Sequence, residues 1–105
     1  MPSTLPNNLN FSASKRGGAI QHVLVVDDSQ LQRKLLTLAL KRWGFNVVEA
    51  ACGAEALELA AHQRPDLVLS DWMMPGMSGL ELCRRFRAIE GEEYSYFILL
   101  TSKSE

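Results

Sequence analysis

Acidic residues follow two apolar segments of the chain, at positions where carboxylates could perform chemistry. Asp27 and Asp28 come directly after the run V-L-V-V, and Asp71 ends the run L-V-L-S-D. Apolar runs of this length are typical of parallel strands that are covered on both faces. Ligands of open α/β sheets bind at the carboxyl ends of such strands. The spacing therefore predicts an acidic site at one edge of a sheet.

Carboxylates that converge at such an edge need a proton or a cation. Two of them about 4 Å apart repel by roughly 4 kcal/mol at an effective dielectric near 20. Mg²⁺ suits them, because it accepts carboxylates, a carbonyl and waters while leaving room for phosphate oxygens. A carboxylate such as Asp71 beside that ion could attack a phosphoryl group and form an acyl phosphate. Thr101 ends the next apolar run, and its hydroxyl could donate a hydrogen bond to that group.

The elements that must position these residues alternate between strand and helix patterns. Strand patterns cover residues 20–27, 45–50, 67–71 and 94–101, with amphipathic segments between them. This alternation predicts an α/β fold with a doubly wound parallel sheet. A strand order of 2-1-3-4 would bring the ends of strands one, three and four to one edge and put the switch point between strands one and three.

Apolar side chains recur at helical spacing in two of the segments between strands. The stripes are Leu31, Leu35, Leu38 and Ala39 in the first segment, and Leu82, Phe86 and Ile89 in the third. We expect both stripes to pack on the sheet. We also expect Trp43 to close the first helix against the core. Cys52 and Cys83 are predicted to be buried, since their spacing fits neither a zinc site nor a redox motif.

Bulk properties restrict the function classes. The chain has 105 residues and a formal net charge of −1, which predicts one domain without general attraction to nucleic acid or anionic membranes. Its apolar runs are far shorter than the roughly 20 residues of a membrane span. No secretory signal pattern is present, so we expect a cytoplasmic protein. Residues 1–19 are rich in Pro, Asn, Ser and Gly and are predicted to be a flexible leader before a domain at 20–105.

Three segments together resemble the receiver domain of two-component response regulators. They are V-L-V-V-D-D-S, D-L-V-L-S-D-W-M-M-P-G-M-S-G and F-I-L-L-T-S, in this order within residues 20–105. The resemblance implies a flavodoxin-like receiver fold. It also implies that Asp71 accepts a phosphoryl group from a sensor histidine kinase or phosphotransfer protein, and that Thr101 is the switch hydroxyl.

The same resemblance implies a set of ligands for Mg²⁺. Asp28 and Asp71 would contact the ion directly, and Asp27 would contact it mainly through water. The backbone carbonyl of Met73 would supply a further oxygen. In this interpretation the segment is a signalling module rather than an enzyme with multiple turnovers.

One departure from the family pattern concerns the end of the sequence. The family has a fifth strand, which ends in a lysine that pairs with the phosphoryl group, and Lys103 lies in the wrong place to replace it. We interpret the chain as a receiver truncated after its fourth strand, or as one completed by a second copy or another strand-completing partner. Strand four would otherwise be an exposed apolar edge. The run T-S-K-S-E resembles receivers attached to diguanylate cyclase outputs.

Other interpretations of the same residues remain open at this point. The aspartates could simply cap helices, as loop carboxylates often do. An aspartyl-phosphate phosphatase or phosphotransferase also works with Mg²⁺, but it would place a second acid where this chain has Met73. A nucleotide-binding domain would need a glycine-rich loop after the first strand, where this chain has D-D-S-Q-L-Q. A degenerate receiver that only binds proteins would not need the intact acidic set.

Overall fold

The computed structural model describes residues 19–89 and 94–101, within which strands and helices alternate. Residues 1–18 of the predicted leader, and Lys103, lie outside the described residues. The elements in chain order are β1 (His22–Val26), α1 (Gln30–Arg42), β2 (Asn46–Ala50), α2 (Gly53–His62), β3 (Leu67–Asp71), α3 (Gly79–Ile89) and β4 (Tyr96–Leu100).

The four strands form one parallel sheet in the order β2-β1-β3-β4, which confirms the predicted topology. Val25 on β1 pairs with Glu49 on one side and with Leu69 on the other. At the end of β3, Asp71 pairs with Leu100 of β4. This register brings the carboxyl ends of β1, β3 and β4 to the same edge of the sheet.

One face of the sheet is covered by α2 and α3. Its buried side chains include Leu24 of β1, Val68 of β3, and Leu82 and Phe86 of α3. The Phe86 ring lies 5.9 Å from the ring of Phe97 on β4, a tilted arrangement that aromatic pairs favour. This face therefore carries a continuous core, whose two largest fully buried side chains, Phe86 and Leu82, come from α3.

The opposite face is covered by α1, which packs against β1 and β2. Leu40 of α1 is buried together with Val23, Val25 and Leu69, and Leu36 packs against this group. The sheet thus has helices on both faces, as a doubly wound fold requires.

The predicted core stripe of α1 is wrong. Leu31, Leu35 and Leu38 are 69%, 59% and 63% exposed, whereas Thr37 and Leu40 are buried. Since α1 carries leucines on several of its sides, helical spacing alone is satisfied by more than one stripe. The helix is instead oriented by its contacts with β1 and β2.

Three further expectations about burial are also wrong. Ile89 is 57% exposed because it is the last residue of α3, while Leu82 and Phe86 of the same stripe are buried as predicted. Trp43 caps the C-terminus of α1 and is 60% exposed. Cys52 is exposed at the N-cap of α2.

Within residues 19–89 and 94–101, none of the helices combines the length and apolar character needed to cross a bilayer.

Candidate functional site

The end of β1 delivers the first two acidic residues. The Asp27 backbone N–H donates to the carbonyl oxygen of Ala50 at 3.1 Å, so Asp27 remains attached to β2 after β1 ends. Its Oδ1 accepts a hydrogen bond from the backbone N–H of Ser29 at 2.9 Å. Asp27 is only 7% exposed, whereas Asp28 is exposed. The turn therefore holds one carboxylate inside the protein and presents the other at the surface.

Asp71 is the last residue of β3 and is 4% exposed. The chain that follows it is attached to both neighbouring elements. The backbone N–H of Trp72 donates to the carbonyl oxygen of Leu100 at 2.8 Å, and the N–H of Gly79 donates to the carbonyl oxygen of Trp72 at 2.8 Å. Asp71 is thus held in position between β4 and the start of α3.

The loop from β3 to α3 is tight. Gly76 has φ +81°, a left-handed conformation that glycine adopts without steric cost. The Ser78 hydroxyl accepts a hydrogen bond from the Glu81 N–H at 3.1 Å and so caps α3. A Cβ atom on Gly79 would overlap the backbone carbonyl oxygen of Asp71, so only glycine fits against the end of β3.

The structure brings Asp27, Asp28 and Asp71 together. Each offers a carboxylate oxygen, and these oxygens all lie within 4.8 Å of one another. Beside them is an open depression of about 350 Å³, lined by Asp28, Met73, Met74, Pro75 and Ser78. Three clustered carboxylates form a hard oxygen donor set with strong mutual repulsion, and a divalent cation such as Mg²⁺ fits both features.

The two remaining predicted residues lie at the same edge of the sheet. Met73 is 60% exposed and lines the depression next to Asp28. Thr101 is exposed and directly follows Leu100, the β4 residue that pairs with Asp71. The roles predicted for the Met73 carbonyl and the Thr101 hydroxyl stay predictions.

Sequence reasoning missed one pair of residues next to the site. Arg33 of α1 donates from Nη1 to the backbone carbonyl oxygen of Asp27 at 2.7 Å and from Nε to Glu49 Oε1 at 3.0 Å. Lys34 also reaches Glu49, at 3.5 Å. The available signal was the acid near the end of β2 together with two basic residues in the early turns of α1.

Opposing effects act on the pKa of Glu49, the acid of this pair. Burial acts to raise the pKa of Glu49, but the surrounding polar groups, chiefly Arg33 through its hydrogen bond and Lys34 through its charge, lower the pKa below the ordinary glutamate value. Glu49 is therefore ionised at neutral pH, and the Arg33 guanidinium is paired next to the three aspartates.

A parallel sheet of this order, with acids at the ends of β1 and β3, defines an α/β protein whose site lies at the switch point. The family model for the response regulator receiver domain matches residues 23–105. The chain belongs to this family and is the receiver domain of a two-component response regulator.

A similar curated relative is the DNA-binding response regulator MtrA of Mycolicibacterium smegmatis. It is 40% identical over 85 residues, which are 81% of this chain and 36% of that protein. The chain thus spans about a third of the length of the curated relatives that it matches.

Two solved structures place the fold among known receivers. The chemotaxis protein CheY4 of Vibrio cholerae is 34% identical with a TM-score of 0.75, over 83% of this chain and 72% of that one. A complex of the histidine kinase ThkA with the response regulator TrrA contains a match with 37% identity and a TM-score of 0.72, over 82% of this chain and 72% of that one.

Proposed function

We propose that this receiver domain accepts a phosphoryl group on Asp71 from the phosphohistidine of a sensor histidine kinase or phosphotransfer protein. The observation that carries the proposal is the cluster of Asp27, Asp28 and Asp71, with carboxylate oxygens within 4.8 Å of one another at the strand ends. The complex of the response regulator TrrA with the histidine kinase ThkA supports a histidine kinase as the class of partner.

The residues that would hold Mg²⁺ are Asp28 and Asp71 directly, Asp27 mainly through water, and Met73 through its backbone carbonyl. When bound, the ion neutralises the carboxylates and the phosphoryl oxygens that approach them. The exposed position of Asp28 and the open depression beside it leave room for a phosphoryl group.

The chain's own residues perform the transfer. A carboxylate oxygen of Asp71 bonds to phosphorus while the P–N bond of the donor phosphohistidine breaks, and the electron pair of that bond stays on the imidazole nitrogen. The product is an acyl phosphate on Asp71. The Thr101 hydroxyl then donates a hydrogen bond to a phosphoryl oxygen and draws the loop after β4 towards the site.

We further infer that residues 20–105 act in the cytoplasm as a receiver module and not as an enzyme with multiple turnovers. Met73 occupies the position where an aspartyl-phosphate phosphatase would need an acid to transfer a proton.

The test is phosphorylation of the folded chain by acetyl phosphate with Mg²⁺, followed by intact mass. We expect the mass to rise by one phosphoryl group, and we expect Asp71→Asn to abolish this gain because an amide is a very poor nucleophile. Trp72 is 41% exposed beside Asp71, so its fluorescence should respond to Mg²⁺ and then to the phosphodonor.

The matched control is Asp66→Asn, the same substitution at a buried acid just before β3, at the opposite end of the strand. Asp66 accepts hydrogen bonds from the backbone N–H groups of Gln21 and His22, which is a structural role. This variant should keep the mass gain. A folded wild-type chain without any gain would refute the proposal, and release of many phosphates per chain would favour a phosphatase.

A further inference from the structure

Arg33 connects three elements at the acidic site. It lies on α1, and its side chain is 15% exposed. Its guanidinium donates to the Asp27 carbonyl oxygen beyond β1 and to the Glu49 carboxylate on β2, at 2.7 Å and 3.0 Å. A planar guanidinium can serve two acceptors at fixed angles, which a lysine ammonium does not do.

The first contact fixes the peptide group between Asp27 and Asp28. The Asp27 carbonyl oxygen, which belongs to this peptide group, accepts a hydrogen bond from Arg33. The Asp27 N–H, in the preceding peptide group, donates to the carbonyl oxygen of Ala50 on β2. Because a peptide group is planar, holding the Asp27 carbonyl sets the orientation of the whole peptide plane. That orientation, together with the φ angle of Asp28, sets the direction in which the Asp28 side chain leaves the backbone.

The second contact, between Arg33 and Glu49, limits the effect of the guanidinium charge on the aspartates. A cation near three clustered carboxylates would compete with a divalent ion for them. Glu49 accepts a charge-assisted hydrogen bond from Arg33 on the side of β2, so a carboxylate outside the acidic cluster compensates the guanidinium charge there. The pair therefore fixes the backbone at the site without leaving an uncompensated positive charge beside it.

We propose that Arg33 is a positioning residue for the Mg²⁺ site and that Glu49 keeps its charge away from the aspartates. Neither side chain belongs to the acidic cluster, yet the affinity for Mg²⁺ would depend on both. This inference rests on the proposed function, since it assumes that the three aspartates bind Mg²⁺.

The experiment is a Mg²⁺ titration of the full chain, followed by Trp72 fluorescence, for the wild type and four variants. Arg33→Met should weaken Mg²⁺ binding about 10-fold or more, as loss of supporting contacts around metal ligands does. Arg33→Lys, which keeps the charge and reaches one acceptor, should fall between Arg33→Met and the wild type. The control Lys34→Met removes the other cation of Glu49 but no contact to Asp27, and should change affinity less than about twofold.

The variant Glu49→Gln distinguishes an effect of Glu49 on Mg²⁺ binding from an effect on the stability of the fold. It leaves the Arg33 charge uncompensated, so Mg²⁺ affinity should fall, and the loss should be larger at about 0.05 M salt than at about 0.5 M. A purely structural role of Glu49 would change thermal unfolding without such a salt-dependent change in Mg²⁺ affinity. Unfolding of each variant is therefore measured without Mg²⁺.

The outcomes are distinguishable. If the wild type shows no Mg²⁺ response and no phosphoryl gain, the proposed function fails and this inference fails with it. If the wild type binds Mg²⁺ but folded Arg33→Met and Glu49→Gln bind it as Lys34→Met does, the inference alone is overturned. If Arg33→Met does not fold, the Mg²⁺ affinities of Arg33→Lys and Glu49→Gln are compared with that of Lys34→Met in its place.

Discussion

At the residue scale, the site depends on how closely α3 approaches the end of β3. Gly79 is buried, and a Cβ there would overlap the Asp71 carbonyl oxygen and lie 2.8 Å from Leu99 Cδ2. We expect Gly79→Ala to lower the free energy of unfolding by about 1–3 kcal/mol, the usual cost of overpacking. Because the displaced atom belongs to Asp71, phosphoryl uptake should also slow. Urea unfolding and intact mass against time measure the two effects.

Gly76→Ala provides a comparison within the same loop. Its Cβ would meet nothing within 4 Å, but the φ of +81° is unfavourable for alanine by about 1–2 kcal/mol. This variant should therefore lose stability while keeping nearly the native rate of uptake. Equal rates for the two variants would show that the packing of Gly79 on Asp71 has no bearing on the site.

The residues of the acidic cluster could be predicted because each follows a recognisable strand. Asp27, Asp28 and Asp71 are placed by the ends of apolar runs, and parallel strands bring such ends to one edge. Arg33 and Glu49 could not be paired in this way, since they are 16 residues apart and on different elements. Only the orientation of α1 on the sheet determines which acid an arginine of that helix reaches.

At the element scale, the same pair attaches α1 to β2 and makes stability depend on pH. Burial raises the pKa of Glu49, but neighbouring groups, chiefly Arg33 and Lys34, lower it below the ordinary value in the folded protein. A lowered pKa means stabilisation that is present above the unfolded-state pKa, about 4.3, and is lost as the pH falls through the folded-state value. We expect Glu49→Gln to flatten the decline in unfolding free energy below about pH 5, measured by denaturant titration.

Glu81→Gln is the control for this pH dependence. The pKa of Glu81 is also lowered, chiefly by the hydrogen bond from Arg85, but that pair lies exposed along a single helix. Its effect should be smaller and should vanish in high salt, because exposed ion pairs are screened. If Glu49→Gln follows the wild-type curve, the pair does not stabilise the attachment of α1.

The bounds of the strands and helices could be predicted to within a few residues, but which side of a helix packs on the sheet could not always be predicted. Apolar runs mark β1, β3 and β4, and Ser78 caps the start of α3. In α1 the leucines lie on several sides, so Leu35 and Leu36 were equally plausible core residues from spacing alone. The half-buried Leu36 packs on the sheet, while Leu35 is exposed.

At the scale of the whole molecule, the two faces of the sheet are covered unequally. Among the described residues, α2 and α3 cover one face, and α1 covers only the β1 and β2 side of the other. On the β4 side of that second face, Ile98 is 46% and Leu100 is 36% exposed. Exposed apolar patches and outer strands both promote association.

We therefore expect the 105-residue chain to associate as its concentration rises, through the surface that includes Ile98. Ile98→Lys should weaken this association at least about tenfold, because a lysine charge on an outer strand opposes strand pairing and apolar contact. Val48 is the matched control, since it is 45% exposed on β2, the other outer strand of the described sheet. It projects from the face covered by α2 and α3, so Val48→Lys should leave association unchanged. Sedimentation at several concentrations measures the difference, and equal effects of the two lysines would mean that general charge, not the β4 surface, governs association.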